Sequence, residues 1–354
     1  MFLSKKNKSD TNNLITSETV NQNYSSLVKR QFKKNNPAVL AIYFIIVMFF
    51  LAIVADFLAN NKPLICSYKG SIHSPVIEEY LVDIGIMKYS GDLVNADWKN
   101  LKYDWSFFPP IKYQASDIDL GNSFATPGSF ESGHYLGTDQ LGRDMLSGII
   151  HGARISLTIG FISMSIAATI GIILGSLAGF FGGWVDIIIS RIIELFLNFP
   201  SFFLIITIVA FLGANIFYVM IILGITGWMG IARLIRGEVL RVRGMEYITA
   251  AKSLGFKSSK IILKHVLPNS LAPVMVSVAF GIAGAILTES GLSFLGFGVP
   301  ATVVTWGSML NQSRSAPFAW WLAIFPGIMI FLTVISYNLI GDGLRDATDP
   351  RLKN

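Results

Sequence analysis

The stretch Glu246–Asn269 reads EYITAAKSLGFKSSKIILKHVLPN, a basic and polar segment set between two long apolar runs. From Glu246 to Leu254 every residue is compatible with a helix, and Ala250 and Ala251 present almost no side chain. Gly255 then permits a left-handed C-terminal cap. KSSKIILKHVLP resumes as a second short helix that Pro268 punctuates before the next apolar run. A helix, a glycine corner and another helix, with small residues beside the corner, suit insertion into a cleft on another protein.

The surroundings of that stretch are those of a membrane protein. Of 354 residues 52% are hydrophobic and only 14% charged, with a mean hydropathy of +0.56, whereas soluble domains carry roughly 25% charged residues. The net charge of +6 sits in blocks beside apolar segments, which points to membrane topology rather than to nucleic acid. A single cysteine, Cys66, excludes an intrachain disulfide, a Cys-rich metal site and a CxxC redox pair. The chain opens MFLSKKNKSDTNNL and stays polar to Asn36, so the first apolar segment is expected to remain in the mature protein.

A bilayer core about 30 Å thick needs roughly 20 apolar residues in a helix. Six stretches qualify, near residues 38–58, 155–180, 187–212, 215–235, 270–294 and 319–340. Pro200, in LNFPSFFLI, removes a backbone donor and is expected to kink or break the third. Lys29, Arg30, Lys33 and Lys34 precede the first span, and residues 60–135 are rich in Asp and Glu. The positive-inside rule therefore predicts a cytoplasmic N-terminus. The expected layout is a cytoplasmic segment 1–36, a first span 37–58, an external insert 59–135, a transmembrane core 136–340 containing a cytoplasmic loop 237–268, and a cytoplasmic tail 341–354. Tyr68, Tyr80, Tyr89, Trp98, Tyr103, Trp105, Phe107, Phe108 and Tyr113 give the insert the apolar area of a small packed cap, either a lid or a docking surface. After it, Thr138 or Asp139 is expected to cap a helix sharing Leu141, Met145 and Ile149 on one side, lying along the outer interface.

Small residues recur at helical spacing in two spans. Gly171, Gly175 and Gly179 place three side-chain-free positions on one face, which suits close helix packing. Ser277, Gly281, Gly284 and Thr288 form a mildly polar stripe that either lines a wet pathway or packs against a neighbour. Of the charges in or near the spans, Arg191 and Glu194 are spaced to pair and Asp186 lies close by. Glu289 stands apart, placed to cap the SGLSFLGFG turn that follows it. Enzyme signatures are missing from the sequence. There is no HExxH, no GxSxG and no GxxxxGK[ST], and His73, His134, His151 and His265 are scattered. No catalytic residue, metal ligand or cofactor is expected in this chain.

The pattern T-A-A-x-x-x-G at Thr249, Ala250, Ala251 and Gly255, followed by L-P at Pro268, resembles the EAA loop of binding-protein-dependent ABC importer permeases. YLGTDQLGRDMLSGIIHGARISL, GLSFLGFGVP, WGSML and APFAWWLAIFPGIMIFLTVISYNLIGDGLRDATDPRLKN are similar to the C-type permease of the dipeptide, oligopeptide and nickel branch. NNKPL, WSFFPPIKY and HYLGTD in the insert further resemble its oligopeptide and microcin-C-type sub-branch.

The resemblance implies an all-α membrane protein with the six-helix type I permease fold. It also implies a coupling helix, with Glu246, Thr249, Ala250, Ala251, Gly255 and Pro268 at the contact with an ATPase. The implied partners are a homologous B-type permease, two ATP-binding subunits or domains that carry ATP and magnesium, an external solute-binding protein and membrane lipid, in a bacterial inner membrane. The family's motif glutamate falls at Thr249 here, and Glu246 lies on the same helical face. The implied solute is a peptide, with nickel or another small solute as the alternative. From the residues alone, an ion-coupled transporter would need midplane charges and an inverted repeat. An intramembrane hydrolase would need a buried acid pair or nucleophile.

Overall fold

Long apolar runs can satisfy their backbone groups inside a bilayer only as helices, and the computed structural model follows that rule; it describes residues 24–88, 97–99, 101–129, 132–300 and 302–348. A short helix α1 (Tyr24–Phe32) leads to α2 (Asn36–Ile53). There the Asn35 side chain accepts from Ala38 N at 3.1 Å, and a proline occupies the first turn. One further turn, α3 (Ala55–Leu58), lies beyond the end of this span.

The insert is where the chain departs from helix. Strands β1 (Ile65–Tyr68), β2 (Ser71–His73) and β3 (Trp105–Phe107) form an antiparallel sheet in the order β2-β1-β3, and helix α4 (Pro75–Asp83) follows β2. Of the aromatics expected to build a cap, Trp98 is buried, whereas Trp105 and Phe107 are exposed. Tyr89, residues 1–23 and the tail beyond Thr348 lie outside the described residues.

The insert is fastened to the membrane domain by a charge cluster. Asp56 of α3 meets His151 Nε2 at 3.1 Å, accepts from Arg154 Nη2 at 2.8 Å, and accepts from the Tyr80 hydroxyl of α4. Burial would raise the Asp56 pKa, but hydrogen bonds from His151, Tyr80 and Arg154 outweigh it and hold the carboxyl well below the usual carboxylate range. A second tie is the buried His134–Asp144 pair at 2.9 Å, with Tyr113 stacked on the His134 ring.

The membrane core comprises α5 (Met145–Phe181), α6 (Gly183–Leu197), α7 (Ser201–Leu212), α8 (Ile216–Arg243), α12 (Ala272–Phe294) and α14 (Trp321–Thr348). Between α8 and α12 lie the short helices α9 (Glu246–Ser253), α10 (Ser258–Ile261) and α11 (Leu267–Ser270). Helix α13 (Trp306–Gln312) precedes α14. Among the described residues five helices are long and apolar enough to cross a membrane, and α6 with α7 makes a sixth span if the pair is one span, bent by 80°. The break is the Asn198–Pro200 segment, where the proline ring excludes Phe199 from helical geometry.

The expected interfacial helix capped by Thr138 or Asp139 does not form. Thr138 Oγ1 instead accepts from Ala125 N at 2.8 Å, and Asp139 Oδ1 accepts from Leu141 N and Arg143 N at 2.8 and 2.9 Å, closing a turn. Gly142 sits at φ +72° so close to the Asp119 carbonyl that a Cβ would stand 1.7 Å from it, which rules out a helical run through this point. The helix begins at Met145, with Asp144 accepting from Ser147 N at 2.7 Å, and runs unbroken for 37 residues. Leu141 is therefore outside it.

Candidate coupling site and pathway

Helix α9 ends in a Schellman corner. Gly255 N donates to Lys252 O at 2.9 Å, Phe256 N donates to Ala251 O at 3.2 Å, and Gly255 has φ +75°. Nothing lies within 4 Å of a Cβ built on Gly255, so backbone conformation alone demands glycine there. The second limb is α10, a π turn over Ile262–Val266, then α11. Pro268 does not end this limb as expected but lies within its helical run. A proline ring crowds the carbonyl four residues back, and the preceding π turn, in which Leu267 N donates to Ile262 O, widens the helix there.

The corner has an anchored side and a free side. Ile248, Ile261 and Val266 are buried in the main core, and Lys252 Nζ lies 4.9 Å from the centre of the Phe180 ring at the end of α5. Ala251 belongs to this anchored side, being only 8% exposed, so it faces its own membrane domain; Glu246, Thr249 and Ala250 face outward. The free side also carries apolar groups that sequence reasoning missed. Leu254 is 75% and Leu263 66% exposed, with Tyr247 and Phe256 beside them and Lys257, Lys260 and Lys264 around them. Exposed apolar side chains of this kind suit a contact surface, with a protein or with the membrane. Their signal was available in the sequence as bulky residues alternating with lysines.

The corner joins α8 to α12, and these two helices border a cleft of about 380 Å³. Ser277, Gly281, Gly284 and Thr288 all line it, facing Thr226, Gly227 and Gly230 of α8. The α8 residues were not singled out from the sequence, although GITGWMG brings Thr226, Gly227 and Gly230 within little more than one helical turn. Among the described residues no charged side chain lines the cleft. Two of its hydroxyls are spent on their own helices, Thr288 Oγ1 donating to Gly284 O at 2.7 Å and Thr226 Oγ1 to Ile222 O at 2.9 Å, whereas the buried Ser163 Oγ has no hydrogen-bond partner among the described residues. The four stripe residues are not equivalent. A Cβ on Gly281 would meet Met164 Sδ at 2.3 Å, whereas one on Gly284 would meet nothing.

Gly171, Gly175 and Gly179 seal α5 against α8. Cβ atoms there would stand 2.9 Å from Trp228 O, 2.4 Å from Ala232 O and 2.8 Å from Arg236 O respectively. Of the intramembrane charges, Arg191 and Glu194 pair at 2.6 Å as their spacing predicts. Asp186 has a partner the sequence did not reveal: Arg236 holds it in a two-pronged contact, with Nη2 donating to Oδ2 at 2.7 Å, and clamps α6 to α8. Glu289 is fully buried and accepts from Ser293 Oγ at 2.7 Å and from Thr305 Oγ1 at 3.0 Å; it does not cap a turn as expected, because α12 continues past it to Phe294. Thr305 caps α13, so Glu289 ties α12 to that helix.

A bundle of apolar helices around a neutral cleft, joined by one polar corner, is the architecture of a membrane permease. The model of the family described as binding-protein-dependent transport system inner membrane component matches residues 171–354. That of the N-terminal TM domain of oligopeptide transport permease C matches residues 23–69. The chain belongs to the family of binding-protein-dependent transport system inner membrane components. The dipeptide transport system permease protein DppC of Alkalihalophilus pseudofirmus is 42% identical over 70% of this chain and 82% of its own length. The oligopeptide transport system permease protein OppC of Bacillus subtilis is 38% identical over 70% of this chain and 81% of its own. The peptidoglycan transport system permease protein YejE of Agrobacterium fabrum is 30% identical over 93% of this chain and 94% of its own.

Proposed function

We propose that this chain is one half of the translocation pathway of an ATP-driven importer of peptides or peptide-like solutes, set in a bacterial inner membrane with both termini cytoplasmic. The solute class is supported by the names of the dipeptide and oligopeptide permeases it resembles, and by a cleft whose uncharged lining suits solutes of varied side chain. The other half of the pathway is a homologous permease. Two ATP-binding subunits supply the energy and hold ATP and magnesium, and an external binding protein delivers the solute.

One observation carries the reading: the exposed corner at Gly255 is continuous with α8 and α12, whose facing sides border the cleft. Movement of an ATPase groove around α9 then tilts the helices that shape the pathway, so that nucleotide and solute bias the same two-state element. Glu246 stands at the first turn of α9, where an acid complements the helix dipole, and takes the place of the acid that Thr249 lacks.

Replacing Gly255 tests this. Gly255→Val resists the left-handed corner, while Gly255→Asn tolerates it. Assembled complexes with Gly255→Val are expected to bind loaded binding protein yet show no solute-stimulated ATPase, and Gly255→Asn is expected to retain stimulation. Normal stimulated hydrolysis and uptake in the valine variant would contradict the docking reading.

A further inference from the structure

We propose that the groove enclosed by α1, α2, the start of α12 and the end of α14 binds one anionic phospholipid, with acyl chain in the groove and phosphate on Lys29 and Lys33. The groove holds about 1000 Å³, against about 380 Å³ in the cleft between α8 and α12. Its wall is apolar, with Val39, Ile42 and Ile46 on α2 facing Leu271, Met275 and Leu344. Gly343 makes the enclosure possible, since a Cβ there would stand 2.4 Å from Ala38 Cβ and 3.0 Å from the Phe32 ring. α1 can therefore cross over α14.

Three span ends meet at this place: α2 begins at Asn36, α12 begins at Ala272 and α14 ends at Thr348. The groove thus opens at one membrane face, and the run from Val39 to Ile46 carries it about 10 Å toward the hydrocarbon. Lys29 and Lys33 line its rim and are exposed, and neither has a carboxylate partner among the described residues. On α14, Asp346 is engaged by Asn35 Nδ2 at 3.2 Å. Paired cations above an apolar slot between span ends complement a phosphate joined to acyl chains. The chain's own residues 1–23 carry three lysines against two acids, a balance that does not favour them over a lipid phosphate at a basic rim. The assignment requires only that the chain sits in a bilayer, so it stands or falls separately from coupling at Gly255.

Native mass spectrometry of the full chain, with phosphatidylglycerol and phosphatidylcholine of matched acyl chains in competition, tests the site. Each rim lysine is expected to contribute about fivefold in phosphatidylglycerol affinity, so Lys29→Ala with Lys33→Ala lowers it about 25-fold and leaves phosphatidylcholine binding unchanged. Lys34→Ala, off the groove, is expected to change it less than twofold. Three results would overturn the proposal: no preference between the lipids, an equal loss with Lys34→Ala, which marks unspecific surface attraction, or phosphatidylglycerol binding that appears only after residues 1–22 are removed, which marks the chain's own segment as occupant.

Discussion

Two glycine stripes with nearly the same spacing have opposite surroundings in this protein. On α5, Gly171, Gly175 and Gly179 bring backbone against backbone, and no position of the three has room for a methyl group. On α12, Gly281 touches only the flexible end of Met164, and Gly284 faces open space in the cleft. A small-residue stripe therefore does not by itself say what lies beside it: on α5 it is a helix backbone, and at Gly284 on α12 it is open space. The seam on α5 gives α8 a fixed wall to lean on, and the stripe on α12 leaves α8 a gap to work across.

Breaking the seam is expected to have the largest effect. Gly175→Leu would put its Cβ 2.0 Å from Ile235 Cγ2 and 2.4 Å from the Ala232 carbonyl, forcing two backbones apart at a cost of about 3 kcal/mol or more. Folded yield and thermal melting in detergent should both collapse. Gly284→Leu is expected to do the reverse, leaving melting within about 0.5 kcal/mol of wild type while lowering solute uptake more than tenfold. If it unfolds the protein, the α12 stripe is a seam too. Gly281→Ala lies between the two, because Met164 can swing away. Its expected cost is about 1 kcal/mol in thermal melting, with uptake reduced less than by Gly284→Leu.

A control off both stripes is the Asp56 cluster. Asp56→Asn is expected to raise hydrogen exchange in α4 by loosening the insert, on the order of 1.5–3 kcal/mol locally, with transport by the cleft least affected. Its pH dependence has a definite sign. The folded carboxyl is held below its usual range, so its contribution is complete above about pH 4 and is lost only as pH falls through the folded value. The loosening of α4 that this carboxyl governs should therefore appear only below about pH 4 in the wild type, once exchange is corrected for intrinsic rates, and an acid transition that is unchanged in Asp56→Asn would contradict the pairing.

The sequence was legible wherever one residue's stereochemistry decides the outcome. Pro200 foretold the break between α6 and α7, and Gly255 foretold the corner. It was illegible where a distant neighbour decides. Gly142 ends the possibility of a helix at Thr138 because the Asp119 carbonyl passes beside it. Asp186 finds Arg236 fifty residues away. Ala250 and Ala251 read alike in the chain, yet one faces out and the other is buried, since an eight-residue helix with alanines on both sides does not announce its orientation. The sheet in the insert was missed because its strands are only three or four residues long.

Thiol labelling of Gly284→Cys in the assembled transporter, in native membranes with and without ATP, tests the central account most directly. The natural Cys66 is buried and serves as an unreactive reference. The account predicts modification by a membrane-impermeant maleimide, a change in its rate on adding nucleotide that Gly255→Val abolishes, and protection by the transported solute. An introduced thiol that never reacts, or that reacts at one rate whatever the nucleotide state, would contradict it.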